Sequence, residues 1–168
     1  MLSDIIHKPR WEEGWTGGLP ETPCGHGSRM SSTTLQREWI PAKIAEYGIK
    51  TVADIGAGDL NWIRRTKLGD VEYTAYDVVP WAPGVVEFDI LWRIPPRVDL
   101  ILCLWVLNHF PPERSRQAWG NIVASGCRYV IITYRGMQGD IQPHHGLPYL
   151  DEIVLNKIKG DTIRLIRC

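Results

Sequence analysis

The sequence carries no net charge: 19 Lys and Arg balance 19 Asp and Glu over 168 residues. Grip on duplex nucleic acid by bulk phosphate neutralisation is excluded, because that mode needs a surplus of cations. No apolar run approaches the roughly 18 residues of a membrane helix, so no membrane partner is expected. The first residues, Met1-Leu2-Ser3-Asp4, lack the basic-then-apolar order of a secretory signal. The four cysteines, Cys24, Cys103, Cys127 and Cys168, include no C-x-x-C pair, which removes zinc-finger and thioredoxin chemistry. Scattered thiols fit a reducing, cytoplasmic setting. His144 and His145 form a pair without a third ligand, so no metal is expected. The length suits one domain and is too short for a second of ordinary size.

What is present is ordinary globular composition, 44% hydrophobic and 23% charged, with an unusual eight tryptophans. Residues 1–33 have neither helical nor strand period. Trp11, Trp15 and Arg29 are interspersed there, which suggests an arm or lid rather than a linker. A single domain is expected over residues 34–168. Its first helix starts near Thr33-Thr34 and carries an apolar stripe of Leu35, Trp39, Ile40, Ile44 and Tyr47. Pro41 marks a start or a kink within it, and Gly48 ends it.

Strands are expected at residues 50–55, 71–77, 85–88, 98–104 and 128–134, with a helix opening at Asp59 and another from Pro111-Pro112 to about Ser125. The run 98–104 is apolar throughout, as in a parallel strand covered on both faces, and Cys103 within it reads as a buried thiol. Residues 153–155 and 162–167, joined through Lys159-Gly160-Asp161, read as a terminal hairpin. Alternating strands and helices define an α/β fold around a mostly parallel sheet.

The chemistry concentrates at Asp54-Ile55-Gly56-Ala57-Gly58-Asp59-Leu60-Asn61. Glycines between a strand and a following helix let backbone approach a ligand, at the place where open α/β sheets bind one. Asp77 ends the next strand, where an acid accepts both ribose hydroxyls. A dinucleotide fingerprint would need a third glycine where Asn61 stands. Asp54 and Asp59 flank the turn and would repel a pyrophosphate. They suit a ligand bearing an ammonium and a sulfonium, so the residues favour S-adenosylmethionine over a nicotinamide cofactor.

The run Val52-Ala53-Asp54-Ile55-Gly56-Ala57-Gly58-Asp59, then Tyr76-Asp77, then Asp99-Leu100-Ile101-Leu102-Cys103 with Val106-Leu107-Asn108-His109-Phe110, resembles the class I S-adenosylmethionine-dependent methyltransferases. The resemblance spans roughly residues 34–134. Gly27-Ser28, Thr34 and Asn61-Trp62 are similar to a small bacterial and phage-type subgroup. It implies a Rossmann-like fold with a seven-stranded, or reduced, mostly parallel sheet and a C-terminal antiparallel hairpin. It also implies that Asp54, Gly56, Gly58 and Asp59 form the first cofactor loop and that Asp77 takes the ribose diol. Val78 would pack on adenine, Asp89 and Ile90 would sit beside it, and Cys103, Leu104 and Trp105 would line the methionine side. His109 would follow in the next helix. The sequence departs from the family in having only about seven residues, Val78 to Gly84, between Asp77 and the third strand. No helix fits there, which leaves adenine coverage to Trp81 or Trp92. The loop after the fifth strand is short too, so the helix before the terminal hairpin is expected to be lost or minimal.

The expected activity is in-line methyl transfer from S-adenosylmethionine. Should the acceptor have to lose a proton, His109, Tyr134 or His144 is the candidate base. Trp15, Ser28, Arg29 and Arg135 are candidates for the lid or for acceptor contact. The acceptor is a small molecule, or a macromolecule gripped with help from a second copy in a homo-oligomer. A DNA amino-methylating element, D/N-P-P-Y/F, is absent after the fourth strand, where Cys103-Leu104-Trp105-Val106 stands, so DNA is disfavoured. The alternatives are a protein that cleaves or senses S-adenosylmethionine, a nicotinamide-dependent oxidoreductase and a tryptophan-rich interaction module.

Overall fold

The computed structural model describes residues 21–135, 151–158 and 161–168. Seven strands form one sheet in the order β3-β2-β1-β4-β5-β7-β6. They are β1 (Thr51–Ile55), β2 (Glu72–Asp77), β3 (Val85–Glu87), β4 (Leu100–Cys103), β5 (Tyr129–Arg135), β6 (Asp151–Ile158) and β7 (Asp161–Arg167). The first five strands pair in parallel, and β7 runs antiparallel between β5 and β6. The α/β sheet with its terminal hairpin is therefore the one the sequence implies. The chain builds outward from β1 to β3, then returns to place β4 on the other side of β1. That reversal opens a crevice beyond the strand ends, between β1 and β4.

Among the described residues two α-helices cover the sheet, α1 (Thr34–Tyr47) and α2 (Pro112–Ala124). Strand alternation divides the core between them. Val52, Leu100, Leu102, Tyr129 and Ile131 face the α1 side with Ile40 and Ile44. Ala53, Ile55, Ile101, Cys103, Val130 and Ile132 face the α2 side with Ala118, Trp119 and Ile122. The Tyr47 ring meets the Tyr129 ring at 4.8 Å, so the C-terminal end of α1 lies at the start of β5 and its first turn at the strand ends. Below the sheet, Asp99 accepts the amides of Lys50 and Thr51 and the Arg128 guanidinium. One carboxylate thus fastens the entries to β1, β4 and β5.

Three expectations need correction. No α-helix opens at Asp59; a 3-10 turn at Ile63–Arg65 stands in its place, because Leu60 takes a left-handed φ of 61° and breaks the helical path. Helix α1 runs unbroken through Pro41, and its buried residues are Gln36, Ile40 and Ile44, while Leu35 is exposed. The apolar stripe is thus rotated by one residue at its start, and a carboxamide is buried where a leucine was expected. The element after Trp105 that holds His109 is only a 3-10 turn, Leu107–His109. No helix spans residues 78–84, as the short connection requires. Residues 1–20 and 136–150, with Trp11, Trp15, His144, His145 and the loop after the fifth strand, lie outside the described residues.

Trp119 is 1% exposed beneath the sheet. Trp119→Ala is expected to cost about 3–5 kcal/mol of stability, measured by urea denaturation, through lost burial and an unfilled cavity.

Candidate functional site

The turn after β1 is built from three left-handed residues, Gly56 (φ 79°), Gly58 (φ 60°) and Leu60. Side chains are barred at the glycines for separate reasons. A Cβ on Gly56 would overlap the Val106 side chain, and one on Gly58 would stand 3.0 Å from Cys24 Sγ. The Gly56 and Ala57 amides both donate to the Tyr76 carbonyl, and the Gly58 amide donates to Asp77 Oδ2 at 2.8 Å. Asp77 Oδ1 accepts the Val79 amide at 3.1 Å. The acid at the end of β2 therefore fastens the glycine turn to the adjoining strand.

Asp54 lies inside this frame, 4% exposed, with Tyr73 Oη donating to its Oδ2 at 2.7 Å. Burial pushes its carboxyl up to about 7; the Tyr73 hydrogen bond opposes the shift and the Asp77 charge adds to it. Burial raises Asp77 as well, against the amides that hold it. Among the described residues no Lys or Arg forms an ion pair with either acid. Among the described residues, the arrangement is an acidic cradle without its own cation. Asp59, beside it, accepts the Asn61 amide in a local turn.

Farther along the crevice, Asp89 Oδ1 accepts the Leu91 amide, while Oδ2 is buried without a partner. Helix α2 holds this loop: Gln117 donates to the Leu91 carbonyl and Asn121 to the Ile90 carbonyl. Val78 and Trp81 are half-buried and Trp92 is 64% exposed. Ile90 and Cys103 lie instead in the core on the α2 side, each 2% exposed or less. Cys103 is turned there because odd-numbered β4 residues point to α2. Burial also drives the Cys103 thiol far above its ordinary range, so it is an inert packing group. Leu104 is buried on the α1 side, and Trp105 follows with a left-handed φ of 60°.

Part of the N-terminal segment lies across the turn. Asn61 Nδ2 donates to the Ser28 carbonyl at 2.9 Å and to Glu21 Oε1 at 3.0 Å, and Glu21 also accepts the Met30 amide. A Cβ on Gly27 would stand 2.9 Å from the Trp105 ring, so that glycine permits a flat contact with the indole. The Cys24 thiol is pushed up to about 12, first by burial and then by the Asp59 charge. Ser28 is thus placed against the glycine turn, with Arg29 next in the chain, and His109 ends the 3-10 turn that follows β4. Tyr134 and Arg135 close β5. Sequence reasoning missed Glu21, Cys24 and Tyr73. The latch role of Asn61 is not legible in the sequence, since it needs partners 33 and 40 residues away.

No family model matches this chain, and no curated protein matches it. Solved structures do. The N-methyltransferase NodS from Bradyrhizobium japonicum, in complex with S-adenosyl-L-homocysteine, superposes with a TM-score of 0.64 at 15% identity over 95% of this chain and 96% of that one. The methyltransferase domain of bacterial CtHen1 gives 0.63 at 10% identity over 81% and 99%. Human N-acetylserotonin methyltransferase, in complex with SAM, gives 0.62 at 11% over 83% of this chain. The match spans about half of that human chain, 53%. The fold is that of the class I S-adenosylmethionine-dependent methyltransferases.

Because the folded Asp54 holds its proton up to about 7, its contribution to stability is full below the ordinary carboxyl range and is lost as pH rises through 7. Asp54→Asn is therefore expected to melt higher than the parent at about pH 8. The difference should shrink towards about pH 4, in thermal unfolding followed across pH.

Proposed function

We propose that the chain binds S-adenosylmethionine and transfers its methyl group to an acceptor by in-line displacement. The observation that carries this reading is the pair of buried or half-buried acids, Asp54 and Asp77, on either side of a glycine turn at the sheet's switch point, with no cation of their own among the described residues. Such a cradle selects a cationic ligand. Asp54, Gly56 and Gly58 would hold the methionine end, with Asp59 at the rim. Asp77 would take the ribose hydroxyls. The buried, unpartnered Asp89 Oδ2 would accept the adenine amino group, with Val78 against the ring. Leu104 and Trp105 would wall the methyl-bearing side.

Two findings weigh against a dinucleotide. After the glycine turn there is a 3-10 turn instead of an α-helix, so the helix N-terminus that would receive a pyrophosphate is missing from the described residues. None of the three solved structures above is an oxidoreductase.

When bound, S-adenosylmethionine supplies an electrophilic methyl on a sulfonium. The chain's own work is to fix that group and an acceptor in line, a contribution of about 7–11 kcal/mol in favourable cases. The Asn61 latch and the Gly27–Trp105 contact keep residues 21–33 over the crevice, where they would exclude water as a lid. His109 stands at the edge of the crevice; with Tyr134 and His144 it is a candidate base for an acceptor that must lose a proton. Small-molecule and macromolecular acceptors both fit this reading. No helix of the described residues is long and apolar enough to cross a membrane.

Mass spectrometry of the purified protein should find S-adenosylmethionine or S-adenosylhomocysteine bound, and calorimetry should show binding of both with none of NADH. The reverse preference would overturn the reading. A bound cation pulls the Asp54 proton off, so affinity for S-adenosylmethionine should rise with pH, by up to about tenfold per unit below about 7. Asp77→Ala should weaken binding by at least about tenfold, roughly 1.4 kcal/mol.

A further inference from the structure

We propose that the end of β5 facing α1 forms the acceptor pocket, and that it takes a neutral planar group presenting a hydrogen-bond donor beside an acceptor, as on the edge of a lactam. This inference rests on the methyl-transfer reading above and names the substrate class for the same site.

It starts from two buried polar side chains. Gln36 is 1% exposed, and both its Nε2 and its Oε1 lack a partner. Thr133 is 0% exposed, and its Oγ1 lacks one as well. Buried polar groups are nearly always hydrogen-bonded, so an unpaired carboxamide and an unpaired hydroxyl both call for a ligand.

The fold brings the two to one place. Gln36, Ile40 and Ile44 form the buried stripe of α1. Tyr129 and Ile131 pack on that side of the sheet, and strand alternation puts Thr133 with them. The ring contact of Tyr47 with Tyr129 anchors the lower end of both rows. From there Gln36 stands about 16 Å along the helix at 1.5 Å per residue. Thr133 stands about 13 Å along the strand at 3.3 Å per residue. Both reach the same level, at the strand ends where the crevice opens.

Only β4 separates β5 from the glycine turn of β1. The separation is two strand spacings, about 10 Å. From β4, Leu104 and Trp105 come between, and the Trp105 Nε1 is a further buried donor without a partner.

The chemistry of these groups selects the class. A carboxamide offers a donor and an acceptor side by side and pairs in bidentate fashion with an edge carrying one of each. The hydroxyl adds a group of either polarity. Asp54, on β1, is the one fully buried carboxylate among the described residues. Among the described residues no hydrogen bond or ion pair brings a charged group to Gln36 or Thr133, so the edge they recognise is uncharged.

The test uses ¹⁵N-labelled protein loaded with S-adenosylhomocysteine and titrated with 2-pyridone, with N-methyl-2-pyridone and benzoate as controls. The Gln36 side-chain amide signals, identified by their loss in Gln36→Leu, should move with 2-pyridone and not with the controls. Gln36→Leu and Thr133→Val should each weaken 2-pyridone by about tenfold or more, with S-adenosylhomocysteine affinity unchanged. Gln36→Met, closer in shape, serves if the leucine variant fails to fold. Signals that ignore 2-pyridone, or a variant that melts higher and still binds it as the parent does, would show an internal water site only and overturn the proposal. Failure of the parent to bind S-adenosylhomocysteine would instead overturn the methyl-transfer reading, and this inference with it.

Discussion

The hydrogen bond from the Gly58 amide to the Asp77 carboxylate, 2.8 Å long, is the constraint around which the crevice is organised. It joins the turn after β1 to the end of β2, and it can form only because Gly56 and Gly58 accept left-handed backbone. With the turn so placed, Val106 fills the space above Gly56 and Cys24 the space above Gly58. The 3-10 turn at Ile63–Arg65 then follows from the direction in which Leu60 sends the chain. The acid that would bind a ribose is thus already at work positioning the loop.

Much of this was legible along the chain. Strand, glycine turn and acid are local signals, because left-handed backbone needs glycine and a short β-rich run has its own composition. Pro112 and Gly48 bounded the helices for equally local reasons. The seven residues between Asp77 and β3 excluded a helix by length alone.

What escaped sequence reading depends on partners far away. The run 98–104 is apolar on both faces, so nothing in it told on which side of the sheet Cys103 packs; its place opposite Ile132, on the α2 side, decides that. Leu35 fits a helical stripe as well as its neighbour, yet Gln36 is the residue turned inward. Hydrophobic periodicity has no means of foreseeing a buried carboxamide. The helix expected at Asp59 failed for a related reason. Asn61 spends its side chain on Ser28 and Glu21, contacts that belong to the tertiary fold and compete with helical propensity.

The segment that holds Cys24 and Ser28 has a kinetic consequence. Cys24 occupies the space next to Gly58, and Asn61 anchors the same stretch through two hydrogen bonds. A ligand taken up at the glycine turn, as proposed, would meet chain rather than solvent. Its arrival rate would then be set by how often that stretch lifts, and would stop rising with ligand concentration once lifting is the slow step. The same stretch would delay departure, so that a product held beneath it would leave at the pace of the loop rather than at that of its own dissociation.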